Sequence, residues 1–214
     1  MSEQEMNYDV DLVLCIDATG SMADTIERVK ASALKFAQDI RGAIEARGRV
    51  IDNLRVRVIP FRDVAVDGSR ALQPSSFFAL PQEQEKLAEL IGGLSADGGG
   101  DRPESGLEAL VEAIRSPWSP PRQKLRQVIV LWTDAPAHPT QDLGELHDLW
   151  EGQSSPLGDS TKRMVLFAPD EEPWSELSSP ESGWDYVAHT KAEPDQGLED
   201  YTYDEIIAFI GQSV

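Results

Sequence analysis

The sequence predicts an α/β fold: one doubly wound, mainly parallel sheet with helices on both faces, folded as a single domain. Two observations carry this expectation. Short apolar runs rich in β-branched residues alternate along the chain with longer stretches of helical spacing. Three oxygen-rich clusters sit directly after such runs or directly before a helix, the position of ligand loops at the carboxyl edge of a parallel sheet. The length of 214 residues suits one such domain. It is read as one unit over 1–214, with a core over about 8–190 and an acidic C-terminal segment closing in a helix over about 200–214.

The elements follow in order. Residues 10–16 (VDLVLCI) form a short apolar run that reads as a buried strand. In 25–46 the apolar residues Ile26, Val29, Ala33, Phe36, Ala37, Ile40 and Ile44 recur at helical spacing, which predicts one helix. Residues 54–61 (LRVRVIPF) alternate and predict a second strand. Residues 65–76, with Gly68 and Pro74, read as a loop or irregular hairpin ending in a short strand at 77–80. Pro81 opens a helix over 82–91, and Pro103 opens another over 103–114. Between them lies the glycine-rich loop DGGGD at 97–101. A strand at 128–132 (VIVLW), a helix at 143–150, a strand at 163–168, an edge strand at 184–188 and a closing helix at 203–210 complete the order.

Composition narrows the function classes. There are 38 acidic and 19 basic residues, for a net charge of −19. Such a chain is repelled by nucleic acid and by anionic membrane surfaces, and attracts cations and basic partners. The charge is uneven: residues 151–214 hold 14 acidic and 3 basic residues, read as a solvated acidic surface. The lone Cys15 lies inside an apolar run and reads as a buried thiol without a disulfide partner. Residues 1–7 are polar and acidic and show no secretory pattern, and no run approaches the roughly 18 apolar residues of a membrane span. The expectation is a soluble cytoplasmic protein that binds neither membrane nor nucleic acid.

The chemistry concentrates in the three clusters: Asp17-Ala18-Thr19-Gly20-Ser21 after the first strand, Gly98 to Glu104 (GGGDRPE) before a helix, and Thr133-Asp134 after the strand 128–132. A doubly wound sheet brings them to one edge. Carboxylates and hydroxyls are hard oxygen donors that suit Mg²⁺, Mn²⁺ or Ca²⁺ and suit zinc poorly. Alternate residues of a tight turn point the same way, so Asp17, Thr19 and Ser21 can converge. Few carboxylates and two hydroxyls leave an open position on the ion, which a partner's carboxylate can fill. Each cluster alone also reads as a helix cap or a turn; three in order favour metal.

DATGSM, GGGDRPE and VIVLWTDAPAH together resemble the metal-ion-dependent adhesion site of von Willebrand factor A domains, a Rossmann-like family. The family's first loop reads D-x-S-x-S; here Thr19 stands at the first hydroxyl position and keeps the oxygen donor. The resemblance implies that Asp17, Thr19 and Ser21 supply the first loop and Asp134 the third. It leaves Asp101 and Glu104 as alternatives for the second, because many members place a threonine there. The D-x-P-E pattern is similar to the version in integrin β subunits, where the glutamate is the ligand. LRVRVIPFRD resembles the matching integrin strand, which implies a second metal position at Asp63, Asp101 and Glu104; Asp24 lies near a further acidic adjunct, but Thr25 is not acidic.

The resemblance implies a metal-dependent protein-binding module that takes Mg²⁺ first, with Mn²⁺ or Ca²⁺ as substitutes, and a partner that offers a carboxylate or a basic surface. The competing reading is a Mg²⁺-dependent phosphate-ester hydrolase with Asp17 as nucleophile. The acidic residue usual two positions later is replaced by Thr19, and no G-x-x-x-x-G-K-[ST] loop occurs. A third reading, a scaffold without metal function, ranks below both. His138 reads as a loop-stabilising residue at the rim of the site, and His147 and His189 as isolated. Trp132 and Trp150 read as core, Trp118 and Trp174 as surface aromatics beside prolines.

Overall fold

A computed structural model describes residues 7–32, 35–99, 102–120, 124–138, 143–153, 155–158, 161–194 and 201–213. Its centre is a six-stranded sheet. The strands are β1 (Asn7–Asp17), β2 (Val50–Phe61), β3 (Phe78–Leu80), β4 (Leu125–Trp132), β5 (Lys162–Pro169) and β6 (Val187–Ala192). Their order across the sheet is β3-β2-β1-β4-β5-β6. All neighbours run parallel except β2 and β3.

The apolar runs are continuous because both faces of the sheet are covered. In β1, Val10, Leu12, Leu14 and Ile16 enter one core while Val13 and Cys15 enter the other. The first core takes the apolar faces of α1 (Ala23–Ser32), α2 (Phe36–Glu45), α4 (Gln84–Gly92) and α8 (Tyr203–Ser213), through residues such as Ile26, Ile40, Ile91 and Ile210. The second takes α5 (Gly106–Ile114), α6 (Leu143–Glu151) and α7 (Trp174–Leu177), through Leu107, Leu110, Trp150 and Trp174. Helices on both faces of a mainly parallel sheet make the fold doubly wound, as the alternation of elements predicts.

Several expectations need correction. The stretch 25–46 is two helices, α1 and α2, with Lys35 preceding the second. Periodicity alone does not separate the two, because each keeps an apolar face toward the same core. The predicted loop 65–76 contains a short helix α3 (Val64–Asp67), capped by the Asp63 carboxylate accepting the Ala65 N–H at 2.8 Å. The helix expected from 103 starts at Gly106, and Glu104 instead forms an isolated parallel bridge with Ala137. The last strand is Val187–Ala192 rather than 184–188. Trp174 is fully buried, not a surface aromatic. His189 is not isolated: its ring bridges Ser178 Oγ at 3.0 Å and the Ala168 carbonyl at 2.9 Å.

The strand order reverses at β1. The chain winds outward from β1 through β2 to β3 on one side, and from β4 through β5 to β6 on the other. The crevice between the carboxyl ends of β1 and β4 is therefore the switch point, where ligands of open α/β sheets bind.

Candidate metal centre

Asp17 is the last residue of β1 and is fully buried. Its Oδ1 accepts the Thr19 N–H at 2.9 Å and the Thr19 hydroxyl at 2.6 Å. Its Oδ2 accepts the Thr133 hydroxyl at 2.7 Å. Both carboxylate oxygens are thus tied to the first and third loops at once. The Ser21 hydroxyl reaches across to Asp134 Oδ1 at 2.9 Å and lies 3.4 Å from Thr19 Oγ1. Asp134 is itself fully buried. The structure brings Asp17, Thr19, Ser21 and Asp134 into one hydrogen-bonded cluster at the switch point.

The walls come from neighbouring loops. Ala18 N–H donates to the Phe61 carbonyl at 2.8 Å, and Asp97 N–H to the Ala18 carbonyl at 3.1 Å. The buried Arg62 holds the second loop from below, donating to the carbonyls of Asp97 at 2.8 Å and Ser95 at 2.7 Å. Gly99 has a φ of +69°, and a Cβ there would stand 2.8 Å from Thr19 Cγ2 and 2.9 Å from Glu104 Oε1. Glycine is required on both counts. This approach also places the Glu104 carboxylate beside Thr19.

Glu104 is buried, and its Oε2 has no hydrogen-bond partner. Its main chain is pinned to the third loop, with N–H donating to the Pro136 carbonyl and the carbonyl accepting from His138 N–H, both at 2.9 Å. Burial pushes its carboxyl up to about 8, and the charges of Asp17, Asp63, Asp67 and Asp134 push in the same direction. Asp17 is also pushed up by burial, to about 6, although the hydrogen bonds from Thr133 and Thr19 oppose the shift. A buried, unpartnered carboxylate oxygen among four other carboxylates is what a cation would neutralise, and the donor set of carboxylates and hydroxyls fits a hard divalent ion. No group of three His, Cys, Asp or Glu side chains among the described residues is placed to hold a metal alone.

Asp101 lies outside the described residues, so the choice between Asp101 and Glu104 rests on Glu104's placement alone. Asp63, expected at a second metal position, caps α3 with the Oδ1 that also lies 3.2 Å from His138 Nε2. Asp24 is exposed in the first turn of α1. Three further residues shape the site, and of these only Asp67 was not singled out from sequence. Thr133 orients Asp17; Asp67 accepts the Gly99 N–H at 2.9 Å; and the Trp174 indole N–H donates to the Ala135 carbonyl at 2.9 Å. Thr133 was legible as part of the third cluster, whereas Asp67 sits in a stretch with no pattern.

Comparison with known proteins bears on the fold and the family. An ariadne-like RING finger protein of Acanthamoeba polyphaga mimivirus is 30% identical over 135 residues, covering 60% of this chain and 11% of the viral protein. The chain thus spans about a tenth of that relative's length. Among solved structures, proximal thread matrix protein 1 of the mussel byssus, described with a zinc-occupied MIDAS motif, matches 97% of this chain and 46% of its own at 12% identity and a TM-score of 0.56. The open conformation of the pilus adhesin SpaC from Lactobacillus rhamnosus GG matches 96% of this chain and 30% of its own at 13% identity and a TM-score of 0.54. At such identities these two structures speak to the fold. The von Willebrand factor A domain family model matches residues 11–157, more than half of the sequence, and the chain belongs to that family.

Proposed function

We propose that this domain is a metal-dependent protein-binding module. Asp17, Thr19, Ser21 and Asp134 hold a divalent cation at the switch point, Glu104 completes the second-loop side, and an acidic group of a partner protein occupies the ion's open position. The bound ion supplies a positive, oxygen-seeking centre in a domain of net charge −19. The observation that carries the reading is the pairing of a hydrogen-bonded oxygen cluster, in which Asp17, Thr19 and Asp134 are buried and Ser21 faces solvent, with the unpartnered Glu104 Oε2 beside it. The byssus protein, described with a filled MIDAS motif, lends support by its shared fold.

The hydrolase alternative finds less support. A nucleophilic carboxylate must expose an oxygen to substrate. Asp17 is fully buried, and its two oxygens together accept three hydrogen bonds.

Isothermal titration with Mg²⁺, Mn²⁺, Ca²⁺ and Zn²⁺ tests the proposal. One site is expected, with Mg²⁺ or Mn²⁺ bound and the heat abolished in Asp17→Ala. A titration unchanged in that variant, with its fold intact by circular dichroism, would sink the reading. The zinc arm matters because the byssus protein is described with that metal, whereas the donor set here favours harder ions.

A further inference from the structure

Among the described residues the exposed large hydrophobic side chains are Val64, Val66 and Tyr186. Two of the three stand on one helical turn. Val64 is 43% and Val66 57% exposed, and Ala65 between them is exposed as well. A run of three consecutive exposed apolar residues is uncommon on a soluble surface unless something docks there. The residues on either side behave oppositely: Asp63 and Asp67 are both buried.

Those two aspartates tie the turn to the candidate metal centre. Asp67 Oδ2 accepts the Gly99 N–H at 2.9 Å, and Gly99 approaches both Thr19 and Glu104. Val64 N–H donates to Ser105 Oγ at 3.0 Å, one residue from Glu104. Asp63 faces His138 at 3.2 Å. Each aspartate spends its charge inward: Asp63 Oδ1 also accepts the Ala65 N–H, and Asp67 Oδ1 also meets Arg70 at 3.2 Å. What α3 presents outward is methyl groups rather than carboxylates.

We infer that Val64, Ala65 and Val66 form the second half of the docking face, receiving an apolar side chain next in sequence to the partner carboxylate that the ion takes. This rests on the metal-dependent reading above and specifies the partner's chemistry. The carboxylate goes to the cation, and an uncharged branched or aromatic neighbour covers the valines. A second acidic residue at that neighbouring position meets the field of Glu104, Asp63 and Asp67 and is repelled. A small polar neighbour leaves the valines in water.

The probes are short synthetic peptides with blocked ends, titrated into Mg²⁺-saturated protein. One set carries Asp flanked on either side by Ile in a glycine background; the other replaces Ile by Ser. Tighter binding of an Ile peptide is expected, by about tenfold, the scale of one apolar side chain leaving water. The preference disappears in the double variant Val64→Ser, Val66→Ser, while Mg²⁺ binding to that variant is unchanged. Equal binding of the two sets overturns the inference, as does a preference that survives the double substitution. Failure of the Ile set to bind the Mg²⁺-loaded protein overturns it as well. Failure of the wild-type protein to bind any divalent ion is a separate result that brings down the metal-dependent reading itself.

Discussion

The indole N–H of Trp174 donates to the carbonyl of Ala135 at 2.9 Å, and this contact joins the start of α7 to the loop that carries Asp134. The same indole fills the space beside Gly106, where an added Cβ would stand 2.7 Å from its ring. Trp174 therefore packs under the start of α5 and under the third loop together. Trp174→Phe keeps most of the ring and removes the donor. The Ala135 carbonyl is then left with the Thr133 hydroxyl at 3.4 Å, and the loss is expected to cost about 1–3 kcal/mol of stability. With the loop less constrained, divalent-ion affinity is expected to fall more than a thermal-melt difference alone suggests. Calorimetric titration and melting of the same variant check both.

Gly99→Ala is a second test of how the site is assembled. The positive φ alone costs about 1–2 kcal/mol for an L-residue. The new methyl group also collides with the Thr19 side chain and Glu104 Oε1. Both a lower melting temperature and weaker ion binding are expected. Gly48→Ala, also at positive φ but with open space around the added atom, separates the two effects. It should lose stability by a similar backbone term and keep its ion affinity.

Much of this was legible in the sequence. The apolar runs of β1, β4 and β5 and the position of Asp17, Thr19, Ser21 and Asp134 at strand ends follow from periodicity and from the rule that parallel strands point their carboxyl ends to one edge. What stayed hidden was set by long-range contacts. Trp174 follows Pro173 in a polar stretch, and nothing local indicates that it is buried. Glu104 sits where a capping pattern suggests the first turn of a helix, yet pairing with residues 136–138 holds it in a bridge before α5. The inward turn of Asp63 and Asp67, which leaves Val64 and Val66 outside, depends on the Gly99 and His138 partners across the loop.

The raised carboxyls make the metal-free domain sensitive to pH. Glu104 moves from the usual range near 4.3 to about 8 on folding, and Asp17 from near 3.9 to about 6. The folded state then holds more protons than the unfolded state between these limits, so the stability these groups contribute is full below about 4 and is lost as pH rises toward 8. Denaturant melts in EDTA should show a midpoint that declines from pH 5 to pH 8. Saturating Mg²⁺ favours the ionised carboxylates and should flatten or reverse that slope. A decline of the same size with and without the ion would mean that Glu104 and Asp17 do not face it.

A substitution remote from the centre separates folding from ion binding. Lys162 opens β5 and is fully buried, with its Nζ donating to the Trp150 carbonyl at 2.8 Å and to Glu151 Oε2 at 2.7 Å and lying 5.2 Å from the Trp150 ring. It stands at the amino end of its strand, the opposite edge from Asp134, which follows the carboxyl end of β4. Lys162→Met fills similar volume but leaves the Trp150 carbonyl and the Glu151 carboxylate without their cation. A loss of about 2 kcal/mol is expected, the range for a hydrogen bond to a charged group. Glu151 keeps 19% side-chain exposure and can turn to water, which limits the loss. Mg²⁺ affinity measured well below the melting temperature should match wild type within error. If it drops alongside stability, the two edges of the sheet are coupled, and the losses expected in Trp174→Phe and Gly99→Ala would then reflect general loosening rather than local positioning of the ligands.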